Sequence, residues 1–372
     1  MTTKKNASLG PVAVSDTLTE NILKRFGEAQ DSLLFQSADL SLSSLGQMVD
    51  SKAIDIAPSY QRRHRWPAEK QSALIESFLL NIPVPPIYLA EDETGRYSVV
   101  DGKQRLTAIA DFMAGRLRLH NLESMVEVEG LCFSDLPEEI KNTLSIRPFL
   151  RVITLLRKSS PLLKYEVFIR LNRGGESMQP QELRNVAFRG PLNELIFDLS
   201  KNEFLRSQLK IKDESSSAFK LMDDVELVLR FLTLRERWET FAGSLRTAMD
   251  EFMAENATIS KNQRKQLADR FNRAISGCES VWGSFSFRRP EGGGSWREQL
   301  LNGVFDAQMV AVDLLTDQEL EALIKIPGAA QDAMRILFSD TKFDRASREA
   351  TNTPSRVKLR ITQVRDALKN LV

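Results

Sequence analysis

Apolar positions change their period several times along this chain. Residues 1–40 are polar with scattered apolar positions and no firm period, and read as an N-terminal arm. Ala53 to Ala57 alternates apolar and polar like a short strand that Pro58 ends. Pro67 is a good first helical residue, and Leu74, Ile75, Phe78 and Leu79 predict a helix closed by Asn81 and Pro83. IPVPPIYLA, EDETG and RYSVV follow as strand, turn and strand, the prolines confining the first strand to an edge or to its own start. Asp101-Gly102 then opens a helix on which Leu106, Ile109, Ala110 and Met113 share a face, and Gly115 stops it.

Beyond this the pattern is helical. PLLKYEVFIRL runs into the break Asn172-Arg173-Gly174-Gly175, and Pro180 opens the next helix. Leu234, Trp238, Phe241, Leu245, Met249 and Phe252 step at helical spacing, as do Leu267, Phe271, Ile275 and Cys278, and then Leu301, Phe305 and Met309. Thr316 to Glu319 fits a capping box, and Val357, Ile361, Val364, Leu368 and Leu371 mark a last helix. The stretch 287–296 reads as a flexible loop, and Trp238, Trp282 and Trp296 as core residues. The fold class is therefore α+β, a small mixed-sheet domain at 41–200 followed by an all-α bundle at 201–372.

Composition narrows the chemistry. With 372 residues, 42% of them hydrophobic and 27% charged, the chain can bury substantial cores. Cys132, Cys278, His64 and His120 are its only cysteines and histidines, too few and too scattered for a zinc finger, an HNH-type centre or a Cys/His dyad. Fifty-one basic against fifty acidic residues exclude nucleic-acid binding through bulk charge, so contacts must come from local patches. Two stand out: Arg62, Arg63 and Arg65, and the last 32 residues, with eight Lys/Arg against three acids. No apolar run reaches membrane-spanning or signal-peptide length, which predicts a cytoplasmic protein without membrane association.

Three short constellations carry candidate chemistry. Asp101-Gly102-Lys103-Gln104-Arg105 leaves a strand for a helix, where backbone N–H groups and two cations attract phosphate, and Asp101 suits a cap, a Mg²⁺ ligand or a water-orienting group. The competing reading is a capped amphipathic helix with an exposed Lys-Gln-Arg face. Tyr60-Gln61-Arg62-Arg63-His64-Arg65-Trp66 combines guanidinium groups with aromatics that suit phosphates and bases, or is a basic loop pinned by Tyr60 and Trp66. Leu171 to Gly175 is a polar turn, or only a helix connection.

Together APSYQRRHRW, SALIESFLLNIPVPPIYL, VVDGKQRLTAIADFMAG and FIRLNRGGESMQPQELRN resemble the ParB/sulfiredoxin-like domain of GmrSD-type modification-dependent restriction enzymes and phosphorothioate-sensing phage-defence effectors. The resemblance implies an NTP with Mg²⁺ at the DGQQR motif, here DGKQR, with Gly102, Lys103, Arg105, Tyr60, Gln61, Arg62, Asn172 and Arg173 binding it. It implies catalytic roles for Asp101, Gln104 and Arg105, Mg²⁺ at Asp101 with the NTP and no protein-built metal cluster, and DNA contacts from Arg62 and Arg65. No histidine follows His120, so the HNH nuclease of the self-sufficient members is not expected in this chain, and Glu139-Ile140-Lys141 is a poor substitute on an exposed helix. The expected function is a weakly NTP-hydrolysing, DNA-sensing subunit of a restriction-like phage-defence system that acts through a separate nuclease or toxin. The rival is a non-catalytic nucleotide or DNA switch, or an antitoxin-like interaction protein. A homo-oligomer is compatible with either.

Overall fold

Residues 16–56, 66–92, 94–147, 149–171 and 179–372 are described by the structure, a computed structural model. Calls on Tyr60, Gln61, Arg62, Arg65, Asn172 and Arg173 lie outside those residues.

The chain divides into two compact units, the first ending at Val167. In the first, α1 (Asp16–Ser32) and β1 (Phe35–Leu40) precede α2 (Leu42–Asp50), β2 (Ile54–Asp55) and α3 (Ala68–Leu79). Then come β3 (Ile87–Glu91), β4 (Tyr97–Asp101), α4 (Lys103–Met113), α5 (Glu138–Ile146) and β5 (Leu150–Leu155). The strands form one mixed sheet in the order β1-β5-β3-β4-β2. β1 runs antiparallel to β5, β5 parallel to β3, β3 antiparallel to β4, and β4 parallel to β2. Pro83, Pro85 and Pro86 stop short of β3, so the strand they precede is the central one, with its hydrogen-bonding edges intact. Leu42, Leu45, Ile75, Phe78, Ile87, Leu106, Ile109 and Phe112 build the core that joins α2, α3 and α4 to the sheet.

Two elements depart from the sequence reading. Residues 16–40 are not a bare arm: β1 pairs over its full length with β5, from Phe35↔Leu155 to Leu40↔Leu150. No alternation announced β1, because Phe35 to Asp39 are all exposed at the sheet edge.

α6 (Pro161–Leu171) leads into the second unit, which is helical. It contains α7 (Pro180–Ala187), α8 (Pro191–Ser200), α9 (Glu203–Gln208), α10 (Ser217–Lys220), α11 (Asp223–Arg237) and α12 (Leu245–Glu255). After these come α13 (Lys261–Trp282), α14 (Asn302–Asp313), α15 (Asp317–Ile324), α16 (Ala329–Ser339), α17 (Thr341–Arg348) and α18 (Pro354–Lys369). α14 is buried on all sides from Gly303 to Val312, as an almost uniformly apolar helix must be, and forms the centre of the unit. At Gly303 an added Cβ would stand 2.6 Å from the Ser347 carbonyl oxygen, so a glycine sets how closely that chain approaches α14. The apolar run from Leu234 to Phe252 spans two helices, since Gly243 takes a positive φ and Ser244 caps α12 by accepting the Thr247 N–H. Trp238 and Trp282 are buried as expected; Trp296 is only partly buried and stacks on Phe285, with Arg335 over its ring. The 287–296 stretch is closed by a backbone bridge between Pro290 and Trp296.

Six charged side chains run through the second unit as a chain of alternating sign. Asp250 accepts from Arg184 at 2.6 Å, and Glu226 lies 3.9 Å from Arg184 and 3.8 Å from Arg230. Arg230 grips Asp306 through two nitrogens at 3.0 and 2.6 Å, and Arg360 reaches the same carboxylate at 3.1 Å. Burial pulls the Arg360 guanidinium down to about 10, opposed by Asp306. No described helix is long and apolar enough to cross a membrane.

Candidate functional site

The strand-to-helix junction predicted at DGKQR is present, and its geometry follows from three local features. First, the β3–β4 register slips between Tyr88↔Asp101 and Leu89↔Val99, so Val100 is an extra residue that bends the end of β4. Second, Gly102 takes φ 93° and ψ 16°, a left-handed conformation natural to glycine, and becomes the N-cap of α4. Third, the first helical hydrogen bond is Leu106 N–H to Gly102 C=O, which leaves the N–H groups of residues 103–105 outside the helical ladder at the positive end of α4.

The side chains of the junction are half-buried. Arg105 turns back beneath the junction, donating to Asp101 Oδ2 at 2.6 Å and to the Pro86 carbonyl at 3.3 Å. Asp101 is thus the last strand residue and the partner of Arg105, not the cap of α4, because a left-handed glycine intervenes. A Cβ on Gly102 would lie 2.9 Å from Ile87 Cγ1 and 3.1 Å from Arg105 Nε, so the close approach that glycine permits here is to the protein's own side chains. Gln104 Oε1 accepts the Trp66 N–H at 3.0 Å, and Gln71 Nε2 donates to the Trp66 carbonyl at 2.7 Å. Lys70 Nζ sits 4.6 Å from the centroid of the Trp66 ring.

These bonds bring the start of α3 beside the start of α4, with Lys70 and Lys103 in their first turns. β2 runs parallel to β4, pairing Asp55 with Ser98, so β2 also points toward the Asp101 end of the sheet. Asp101, Gly102, Lys103, Gln104 and Arg105 therefore share one turn of chain, with Trp66 against it.

Sequence reasoning passed over Lys70 and Glu76. Glu76 is buried on α3, and its carboxylate accepts the N–H groups of Ser124 at 2.7 Å, Met125 at 2.9 Å and Glu123 at 3.3 Å. The Ser124 N–H, aided by the other two, holds this carboxyl below its ordinary range against the opposing effect of burial. One turn earlier Ser72 accepts the His120 N–H at 2.9 Å. The signal was available: Ser72 and Glu76, four residues apart, interrupt the apolar face of SALIESFLL.

Half of the basic residues of the C-terminal stretch are held in ion pairs within the fold. Arg360 is buried on Asp306, Arg348 pairs with Asp344, Arg365 with Asp366 and Lys369 with Glu319. Lys141 of the ExK stretch pairs with Glu138 at 2.8 Å on α5, and the described residues hold no group of three or more His, Cys, Asp or Glu placed to bind a metal ion. The donor set at the junction, one carboxylate already held by an arginine, suits a metal carried in with a phosphate better than a protein-bound ion.

Residues 45–189 match the family model of the GmrSD restriction endonuclease N-terminal domain, a stretch that contains the whole junction. No curated protein and no solved structure matches the chain.

Proposed function

We propose that this chain is a nucleotide-binding, DNA-sensing component of a restriction-like phage-defence system, and that the triphosphate of an NTP with Mg²⁺ sits at the start of α4. The observation that carries the reading is the junction itself, a left-handed glycine between a bulged strand and a helix, lying inside the stretch that resembles a restriction-enzyme domain. The positive helix end and Lys103 supply attraction, while Gly102 shapes the turn. Arg105 has a different role from the one the motif suggests: it is a brace that fixes Asp101 and the end of β4. The remaining assignments, Tyr60, Gln61, Arg62, Asn172 and Arg173 to the nucleotide and Arg62 and Arg65 to DNA, belong to the same proposal. So does the separate nuclease or toxin that would act on DNA.

The non-catalytic rival shares this site: the bond from Arg105 engages Asp101 Oδ2 and leaves the second carboxylate oxygen to orient water or Mg²⁺, so binding and turnover are tested separately. Calorimetry with ATP and GTP in the presence of Mg²⁺ tests binding, and phosphate release tests turnover. Lys103→Ala is expected to weaken binding by at least about tenfold, the effect of one charge-assisted hydrogen bond of roughly 1.5 kcal/mol or more. Absence of NTP binding to the wild-type protein overturns the reading.

A further inference from the structure

We infer that the groove between the α8–α9 corner and the first half of α13 binds the phosphodiester backbone of DNA. The inference rests on the reading of the chain as a DNA-sensing component, and adds a surface in the helical unit. The groove encloses about 630 Å³ and is floored by Leu195, Leu199 and Ala268. Lys201 stands on one wall, and Lys261, Arg264 and Lys265 on the other.

Two of the acids around this groove, Glu194 and Asp198, are already engaged. Arg264 donates to Glu194 at 3.2 Å and to Asp198 at 2.8 Å, and Lys201 adds a second bond to Asp198 at 3.0 Å. Glu203 is the remaining acid in the lining. Lys261 and Lys265 are exposed, and neither has an ion-pair partner among the described residues. They lie four apart on the same face of α13, where like charges repel, and near the positive end of a helix whose first turn has no acid. Both placements run against the electrostatics of the helix, which an anionic ligand would relieve. These two lysines on one wall and an apolar floor for a sugar edge suit successive phosphates of a nucleic-acid strand, with Lys201 opposite them held by Asp198.

The test measures binding of a labelled DNA duplex over a range of KCl concentrations by wild-type protein and by Lys261→Glu/Lys265→Glu. If both lysines contact phosphate, affinity at moderate salt falls at least tenfold, and the slope of log K against log salt shrinks by about 1.8, two contacts at about 0.9 each. Lys158→Glu/Lys325→Glu, an equal charge change on exposed sites outside the groove and both basic patches, serves as the comparison and leaves the slope unchanged. Because the groove variant can lose its fold, lysine acetylation of the wild-type protein gives a second reading: DNA should protect Lys261 and Lys265 but not Lys325. A wild-type slope in the groove variant, equal acetylation with and without DNA, or no DNA binding by the wild type overturns the inference. Protection by ATP or inorganic phosphate without protection by DNA also overturns it, by assigning the groove to a free phosphate. Calorimetric NTP binding retained by the groove variant shows that the α4 reading stands apart, whereas loss of NTP binding in the wild type with DNA protection intact defeats that reading alone.

Discussion

At Gly102 a single residue answers to two constraints that sequence alone merges into one. Its left-handed backbone favours glycine, and the space a Cβ would need is taken by Ile87 and the Arg105 guanidinium. A side chain at this φ costs about 1–2 kcal/mol before any clash, so Gly102→Ala is expected to destabilise the first unit by about 2 kcal/mol, read as a lowered urea midpoint. It should also displace Arg105 from Asp101 and so misplace the start of α4, weakening NTP binding beyond the stability change. An alanine variant with wild-type stability and binding would show that the turn tolerates relaxation. The DGKQR motif was legible because glycine and charge are visible in a sequence. What was not legible is the direction of Arg105, which depends on a carbonyl at Pro86 brought alongside by the sheet.

Elements were legible where one face is buried and hidden where none is. α3, α4, α13 and α18 each carry a regular apolar stripe, and α3 and α4 form close to the bounds that Pro67 and Pro83, and Gly102 and Gly115, predict. β5 was passed over because its alternation holds only at Leu150 and Val152 and breaks before Leu155, which lies on the other face, and β1 follows β5 to the edge without a stripe of its own. Helical spacing across Leu234–Phe252 survives a turn between two helices, because α11 and α12 both face the same core, and only Gly243-Ser244 reveals the break. Polar residues on apolar faces are the least legible, and Glu76 is the instance with a measurable consequence. Its folded carboxyl lies below the ordinary range, so the ionised form contributes stability above the unfolded value near 4.5, and that contribution disappears as pH falls through the lowered folded value. Glu76→Gln should cost about 2 kcal/mol at pH 7, since three N–H groups lose a charged acceptor, and the cost should shrink toward acid. Chemical denaturation at pH 7 and pH 3.5 checks both; an equal cost at the two values would place the effect in packing instead of charge.

At the scale of the whole molecule the question is what the ionisable groups of the helical unit are doing. Arg184, Arg230 and Arg360 balance Asp250, Glu226 and Asp306, and together they fasten α7, α11, α12, α14 and α18. Such a chain is held by geometry: each carboxylate faces a guanidinium, and removing one partner would leave an uncompensated buried charge. Asp313 is likewise held by Arg235 at 3.0 Å and Arg270 at 3.5 Å, and Asp344 by Arg289 and Arg348. Carboxylates engaged in this way hold helices together, and the described residues hold no group of three or more His, Cys, Asp or Glu placed to take a metal ion for phosphodiester cleavage. We propose that the helical unit is a packed scaffold and that DNA is cut by another chain of the system. Plasmid incubated with the purified protein, NTP and Mg²⁺ is expected to stay supercoiled, while the same protein mixed with the product of the neighbouring gene in its operon should elute at the mass of a complex. Nicking by the protein alone that disappears on changing one carboxylate after residue 168, with the variant still folded by circular dichroism, would put the nuclease in this chain and overturn the scaffold reading.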